Sequence, residues 1–173
     1  MRFTELGKLV VAGVAVAFML TPSVSVMAQA QNTVLTRTDT QKMLPASVFY
    51  KGQTAPVQAR NSGGVKFSDG YYVLATLVDT SGYASDVAAK YQGYFIAEVP
   101  LKVGGQDLPA GAYGFGFVGG DKFVITDVGG HDVLTANSTN DEGMKRPVPL
   151  QVTSDPGGGF RLYAGRKYVA FTR

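Results

Sequence analysis

Residues 112–118 read AYGFGFV, with Tyr113, Phe115 and Phe117 alternating with Ala112, Gly114 and Gly116. Successive side chains of a β-strand point to opposite faces, so this spacing gathers the rings on one side and leaves only small residues on the other. The ringed side is predicted to be buried with Phe115 at its centre, because a slip of one residue would expose every ring together. The small side admits close approach of another backbone, a short helix or a ligand, and a short helix is the expected neighbour. Gly119-Gly120 then turns the strand into residues 121–128 (DKFVITDV), and Gly129-Gly130 turns that into 131–135, two hairpins in succession.

Upstream, residues 94–103 (YFIAEVPLKV) set Phe95, Ala97, Val99, Leu101 and Val103 on one face. Pro100 has no N–H to donate, so this strand is bent there or lies at an edge. Residues 71–79 (YYVLATLVD), launched by the turn Ser68-Asp69-Gly70, are apolar on both faces, as a central strand is. One helix is expected between these two strands. Ser85 caps it, Asp86 sits in its first turn, Val87 and Tyr91 share a face, and Gly93 ends it. Residues 47–50 and 56–60 are short strands, followed by the turn cluster Asn61-Ser62-Gly63-Gly64. Residues 136–147 (ANSTNDEGMKRP) form a long polar loop, and strands over 148–153, 160–163 and 167–172 close the chain. The expectation for residues 47–173 is an all-β domain: a single antiparallel β-sandwich or partly closed barrel of about nine short strands with one short connecting helix.

Residues 31–46 (QNTVLTRTDTQKMLPA) read as a flexible polar lead-in, in which Asp39 or Thr40 caps at most a single turn before Pro45. Residues 1–30 read as a signal peptide. Arg2 and Lys8 make a basic start, Leu9 to Leu20 is an unbroken apolar run, and Ala28-Gln29-Ala30 supplies the small residues a signal peptidase reads. The run is shorter than the roughly 20 residues that span a bilayer. The expected location is therefore exported, periplasmic or extracellular, with no stable membrane span after cleavage.

The chain has no cysteine, so the domain must hold by packing without disulfides or thiolate-bound zinc. Charge is nearly balanced, 16 Lys and Arg against 13 Asp and Glu, and the basic residues are scattered. Nucleic-acid binding, which clusters them on one face, is not expected.

At residues 103–113 (VGGQDLPAGAY) the chain resembles a hairpin common in uncharacterised secreted bacterial β-sandwich proteins, a domain of unknown function with the pattern G-x-x-L-P-A-G-x-Y. Gly105, Leu108, Pro109, Ala110, Gly111 and Tyr113 carry the resemblance. It implies an exported all-β sandwich and transfers no catalytic residue.

Chemistry is sparse. The lone histidine, His131, stands in Gly-Gly-His-Asp at a strand start. On a strand, the Asp132 side chain points away from it, and no Gly-x-Ser-x-Gly elbow occurs, so no nucleophile–base pair is expected. One histidine and no cysteine argue against a transition metal. Asn137, Asn140, Asp141 and Glu142 offer oxygen ligands without EF-hand spacing and read as a solvated loop. The paired glycines sit between strands and are turns, not phosphate loops. Glu98 lies on the Tyr94/Ile96 face; lining a cavity it would be a buried acid, facing water an ordinary one, and we take the second. Tyr71, Tyr72, Tyr83, Tyr91 and Tyr94 crowd one third of the chain, and aromatic faces with hydroxyls suit sugars or flat ligands as well as packing.

The candidate ligand-binding residues are accordingly Tyr83, Tyr91, Tyr94 and Glu98; no catalytic residue, metal or cofactor is expected. The functional expectation is an exported non-enzymatic β domain with a structural or binding role in the cell envelope or outside the cell. Its partner would be a small apolar ligand, a glycan or an envelope protein. The alternative is a barrel-like carrier whose interior, lined by Phe95, Tyr113, Phe115 and Phe117, holds a small apolar or aromatic ligand. A hydrolase is the weakest reading.

Overall fold

The computed structural model describes residues 31–173, so the segment read as a signal peptide, 1–30, lies outside the described residues. In chain order the elements are β1 (Thr33–Leu35), α1 (Arg37–Met43), β2 (Ser47–Tyr50), β3 (Gln53–Lys66), β4 (Tyr72–Val78), α2 (Ser85–Lys90), β5 (Gly93–Ala97), β6 (Leu101–Val103), β7 (Gln106–Leu108) and β8 (Gly111–Val118). They continue as β9 (Lys122–Thr126), β10 (Asp132–Asn137), β11 (Thr139–Asn140), β12 (Val148–Ser154), β13 (Phe160–Gly165) and β14 (Lys167–Thr172). One antiparallel sheet runs β1-β3-β4-β5-β8-β9-β10, with β2 added beside β3. The other runs β12-β13-β14-β6-β7, with β11 beside β14. Neither path returns on itself, so the fold is a sandwich rather than a closed barrel. Among the described residues strands number fourteen and helices two, against about nine and one expected. Of the extra strands, β1, β7 and β11 are too short to leave a period-2 signal, and β6 is the far end of the expected 94–103 strand.

The core follows from alternation. Val73 and Ala75, Phe95 and Ala97, Tyr113 and Phe115, Phe123 and Ile125 point inward from one sheet. They meet Leu150 and Val152, Phe160 and Leu162, Val169 and Phe171 from the other. Phe115 has 0% exposure, as the ringed face requires. The expected strand over 94–103 is broken at Pro100: β5 belongs to the large sheet and β6 to the small one. Because the chain crosses at that corner, Phe95, Ala97, Val99, Leu101 and Val103 all still reach the core. The hairpin at 103–113 has a physical basis. Gly104 and Gly105 both take positive φ, 56° and 83°, in the two-residue turn joining β6 to β7. Leu108 is buried, and the Tyr113 hydroxyl donates back to the Pro109 carbonyl at 2.9 Å.

Four local expectations are corrected. Residues 31–46 are not a flexible lead-in: β1 pairs with β3 through Thr33↔Lys66 and Leu35↔Gly64, and α1 packs on β3. The helix is capped by Thr36, not by Asp39 or Thr40. Asp39 N–H donates to Thr36 Oγ1 at 3.3 Å while Thr36 N–H donates to Asp39 Oδ2 at 3.1 Å, a capping box. Thr40, fully buried, shares a 2.6 Å hydrogen bond with Ser62 Oγ. Asn61-Ser62-Gly63-Gly64 is no turn but the continuation of β3 after an irregularity between Gln58 and Ser62. A Cβ on Gly63 would stand 2.7 Å from the Val152 backbone nitrogen, so the glycine lets the two sheets touch. Finally, β10 runs on to Asn137 and β11 occupies part of the expected 136–147 loop.

Candidate functional site: a tyrosine cluster on the outer face

Residues of β4, β5, β8 and β9 that alternate with the core point to the opposite, outer face of the large sheet. There the small side of β8 meets its neighbours. A Cβ on Gly116 would stand 2.4 Å from the Lys90 carbonyl oxygen, so the end of α2 lies on the strand, as the alternation predicted. A Cβ on Gly114 would meet the Tyr50 ring at 2.7 Å and the Tyr91 ring at 2.8 Å. Glycine is needed at both positions by this close approach.

The β2–β3 hairpin forms the second cover. Its strand β2 alternates exposed Ser47 and Phe49 with buried Val48 and Tyr50. Tyr50 reaches over β8 to share a 2.8 Å hydrogen bond with Thr126 Oγ1, and Lys51 N–H donates to the Val128 carbonyl at 2.7 Å. Helix α2 begins after Ala84 with no side-chain cap, rather than at a capping Ser85. It buries none of its own residues, and it is held through Tyr91 at its C-terminal cap and through Lys90, whose Nζ lies 2.8 Å from Asp132 Oδ2.

Under these covers sit Val48, Tyr50, Ala55, Val78, Tyr91 and Tyr94, with Tyr83, Val87 and Ile96 packed against them. Tyr50 and Tyr91 are stacked, centroids 3.7 Å apart. Tyr83 stands edge-on to both, at 6.0 Å and 5.3 Å, and its hydroxyl donates to the Tyr50 carbonyl at 3.0 Å. The Tyr91 hydroxyl is buried with no hydrogen-bond partner among the described residues. Burial pushes the phenols of Tyr50, Tyr83, Tyr91 and Tyr94 above the ordinary tyrosine range. They are therefore neutral at physiological pH and can donate hydrogen bonds or pack, but not serve as bases.

Of the four candidate ligand-binding residues, the structure brings Tyr83, Tyr91 and Tyr94 together and leaves Glu98 out. Glu98 is exposed, and its Oε2 accepts from the Tyr72 N–H at 2.8 Å, continuing the β4–β5 ladder. Tyr50 is the member that sequence reasoning missed. The alternation of 47–50 marks its strand, but its partner Thr126 is 76 residues away.

A cleft of about 190 Å³ opens beside the cluster, lined by Tyr50, Lys51, Asp86, Val87, Lys90 and Gly130. A second, apolar cleft of about 470 Å³ lies at one end of the small sheet among Pro100, Leu101, Leu108, Pro109 and Arg173. His131 is 83% exposed, and its Nδ1 lies 3.1 Å from Asp127 Oδ2, which belongs to the same turn. In the loop considered for calcium, Asp141 Oδ2 accepts from the Tyr163 hydroxyl at 3.0 Å. Among the described residues no three His, Cys, Asp or Glu side chains converge to hold a metal.

Comparison with known proteins leaves the site to its own geometry: no family model matches the chain, and neither a curated protein nor a solved structure does.

Proposed function

We propose that this is an exported, non-enzymatic β-sandwich that works as a binding or structural module in the cell envelope or outside the cell. The observation that carries the reading is where the aromatic residues lie. The space between the sheets is filled by rings in mutual contact, Phe115 with Phe123 at 5.8 Å and Phe95 with Phe171 at 6.1 Å. The tyrosine cluster lies instead outside that space, beneath the β2–β3 hairpin and α2, and the clefts open on outer surfaces, where a partner has access. A catalytic reading finds less support: His131 bonds within its own turn, and the clustered phenols are held neutral.

The basic, apolar and small-residue order of 1–30 supports export. The test is intact-mass measurement of the protein recovered from the periplasm and culture medium of its host, with identification of what co-purifies. Cleavage after Ala30 or Ala28 and a reproducible bound molecule are expected; retention of 1–30 in a membrane fraction overturns the reading.

A second reading, a carrier of a small apolar ligand, is favoured by the 470 Å³ cleft among Pro100, Leu101, Leu108 and Pro109. It moves the ligand from the sandwich interior to the end of the small sheet.

A further inference from the structure

Two opposite charges without an ion-pair partner among the described residues line the cleft beneath the β2–β3 turn. Lys51 and Asp86 both border it, and neither takes part in an ion pair with another described residue. Lys90, on the same cleft, is by contrast tied to Asp132 through contacts of 2.8 Å and 3.0 Å. Its charge is neutralised and its position set.

Lys51 also sits where turn stability disfavours it. Lys51 and Gly52 take φ of 47° and 84° in the two-residue loop between Tyr50 and Gln53. Such a loop prefers Asn, Asp or Gly, because a Cβ strains the left-handed backbone and only the short polar Asn or Asp side chain offsets this by local hydrogen bonding. The lysine stem runs along Gly130, where a Cβ would stand 3.1 Å from Lys51 Cδ. Gly130, whose own φ of 86° already calls for glycine, has no side chain to block that stem. An exposed ammonium placed against local turn preference and an exposed carboxylate, both on one cleft and outside any ion pair, are what a ligand with both charges would require.

The volume, about 190 Å³, equals roughly six waters at their liquid share of ~30 Å³ each. That limits the occupant to a small molecule. Val87 supplies an apolar wall. We propose that the cleft binds a small zwitterion of the α-amino-acid type, its carboxylate on Lys51, its ammonium on Asp86 and its side group against Val87. This names a ligand class for the binding module proposed above and rests on that reading.

The test is calorimetric titration of the protein, purified after expression of the full chain, with glycine, alanine and valine and with the N-acetyl and amide form of each. At least one free amino acid should bind saturably, and blocking either charge should weaken it about tenfold or more. Lys51→Asn should bind acid and amide alike without a lower melting temperature, since asparagine suits the turn. Asp86→Asn should bind free and N-acetylated forms alike. No saturable heat with any free amino acid, equal binding of the blocked forms, or full discrimination in Lys51→Asn overturns the inference. An exported protein that co-purifies with some other molecule and ignores zwitterions would sink this inference alone. Zwitterion binding by a protein retained with residues 1–30 would sink the export reading alone.

Discussion

The Tyr91 ring lies flat on the Tyr50 ring, with centroids 3.7 Å apart and planes within 10° of parallel. The contact ties the end of α2 to β2 and so joins the two covers of the outer face. A cost of the contact is the Tyr91 hydroxyl, buried without a partner among the described residues, which destabilises by about 1–3 kcal/mol. Tyr91→Phe keeps the stack and removes that atom, and is expected to raise stability by about 1 kcal/mol in thermal melting. A fall in melting temperature would mean that the hydroxyl is satisfied in solution, by water or by a ligand.

Phe115 is fully buried between Phe117 and Phe123. Phe115→Ala should cost about 3–5 kcal/mol through lost burial and the cavity left behind. Gly114→Val should also destabilise, because its first side-chain atom would meet Thr126 Oγ1 and two tyrosine rings within 2.8 Å. Chemical denaturation of both variants checks this; a neutral Gly114→Val would show that the covers move aside freely.

The amino-terminal residues should matter to stability. Removing residues 31–44 takes away β1, α1 and the buried Thr40–Ser62 hydrogen bond. A melting temperature lower by several degrees is expected, where loss of a flexible tail would leave it unchanged. Thr36→Ala alone should cost about 1 kcal/mol through loss of the cap.

Alkali should destabilise the fold ahead of a protein with exposed tyrosines. Burial raises the phenol pKa of Tyr50, Tyr83, Tyr91 and Tyr94 in the folded state. Above about pH 10 the unfolded chain then releases protons that the folded chain retains, so stability is complete below that pH and falls as pH rises through the folded-state values. Denaturant midpoints between about pH 9 and pH 11, with phenolate absorbance recorded in parallel, test the sign. Tyr91→Phe should lessen the alkaline loss; titration of all nine tyrosines at the ordinary pKa would refute the burial of the cluster.

The long strands were legible because each carries its own period. Phe95 and Ala97, Tyr113 and Phe115, and Phe123 and Ile125 are core residues that alternation alone assigns. The empty side of β8 was legible for the same reason, since Gly114 and Gly116 leave room that only a close neighbour fills. What lies over Gly114 was only half visible: the helix could be anticipated, but Tyr50 could not, because its hydrogen bond to Thr126 joins segments with no local signal in common.

Local sequence therefore determined which residues form strands, which face is buried, and where glycine turns reverse the chain, because side-chain alternation and backbone sterics act over a few residues. It misjudged 61–64, where glycines that resemble a turn serve instead to let β3 touch β12. It also misjudged 31–46, whose few apolar residues gain their order only against β3. The tertiary structure decided that Pro100 carries the chain from one sheet to the other. It also decided that Tyr50, Tyr83, Tyr91 and Tyr94 cluster outside the sandwich interior, and that Lys51, Asp86 and Gly130 border one cleft. Those relations depend on burial between segments far apart in the chain, a driving force that is non-directional and leaves no mark on the order of neighbouring residues.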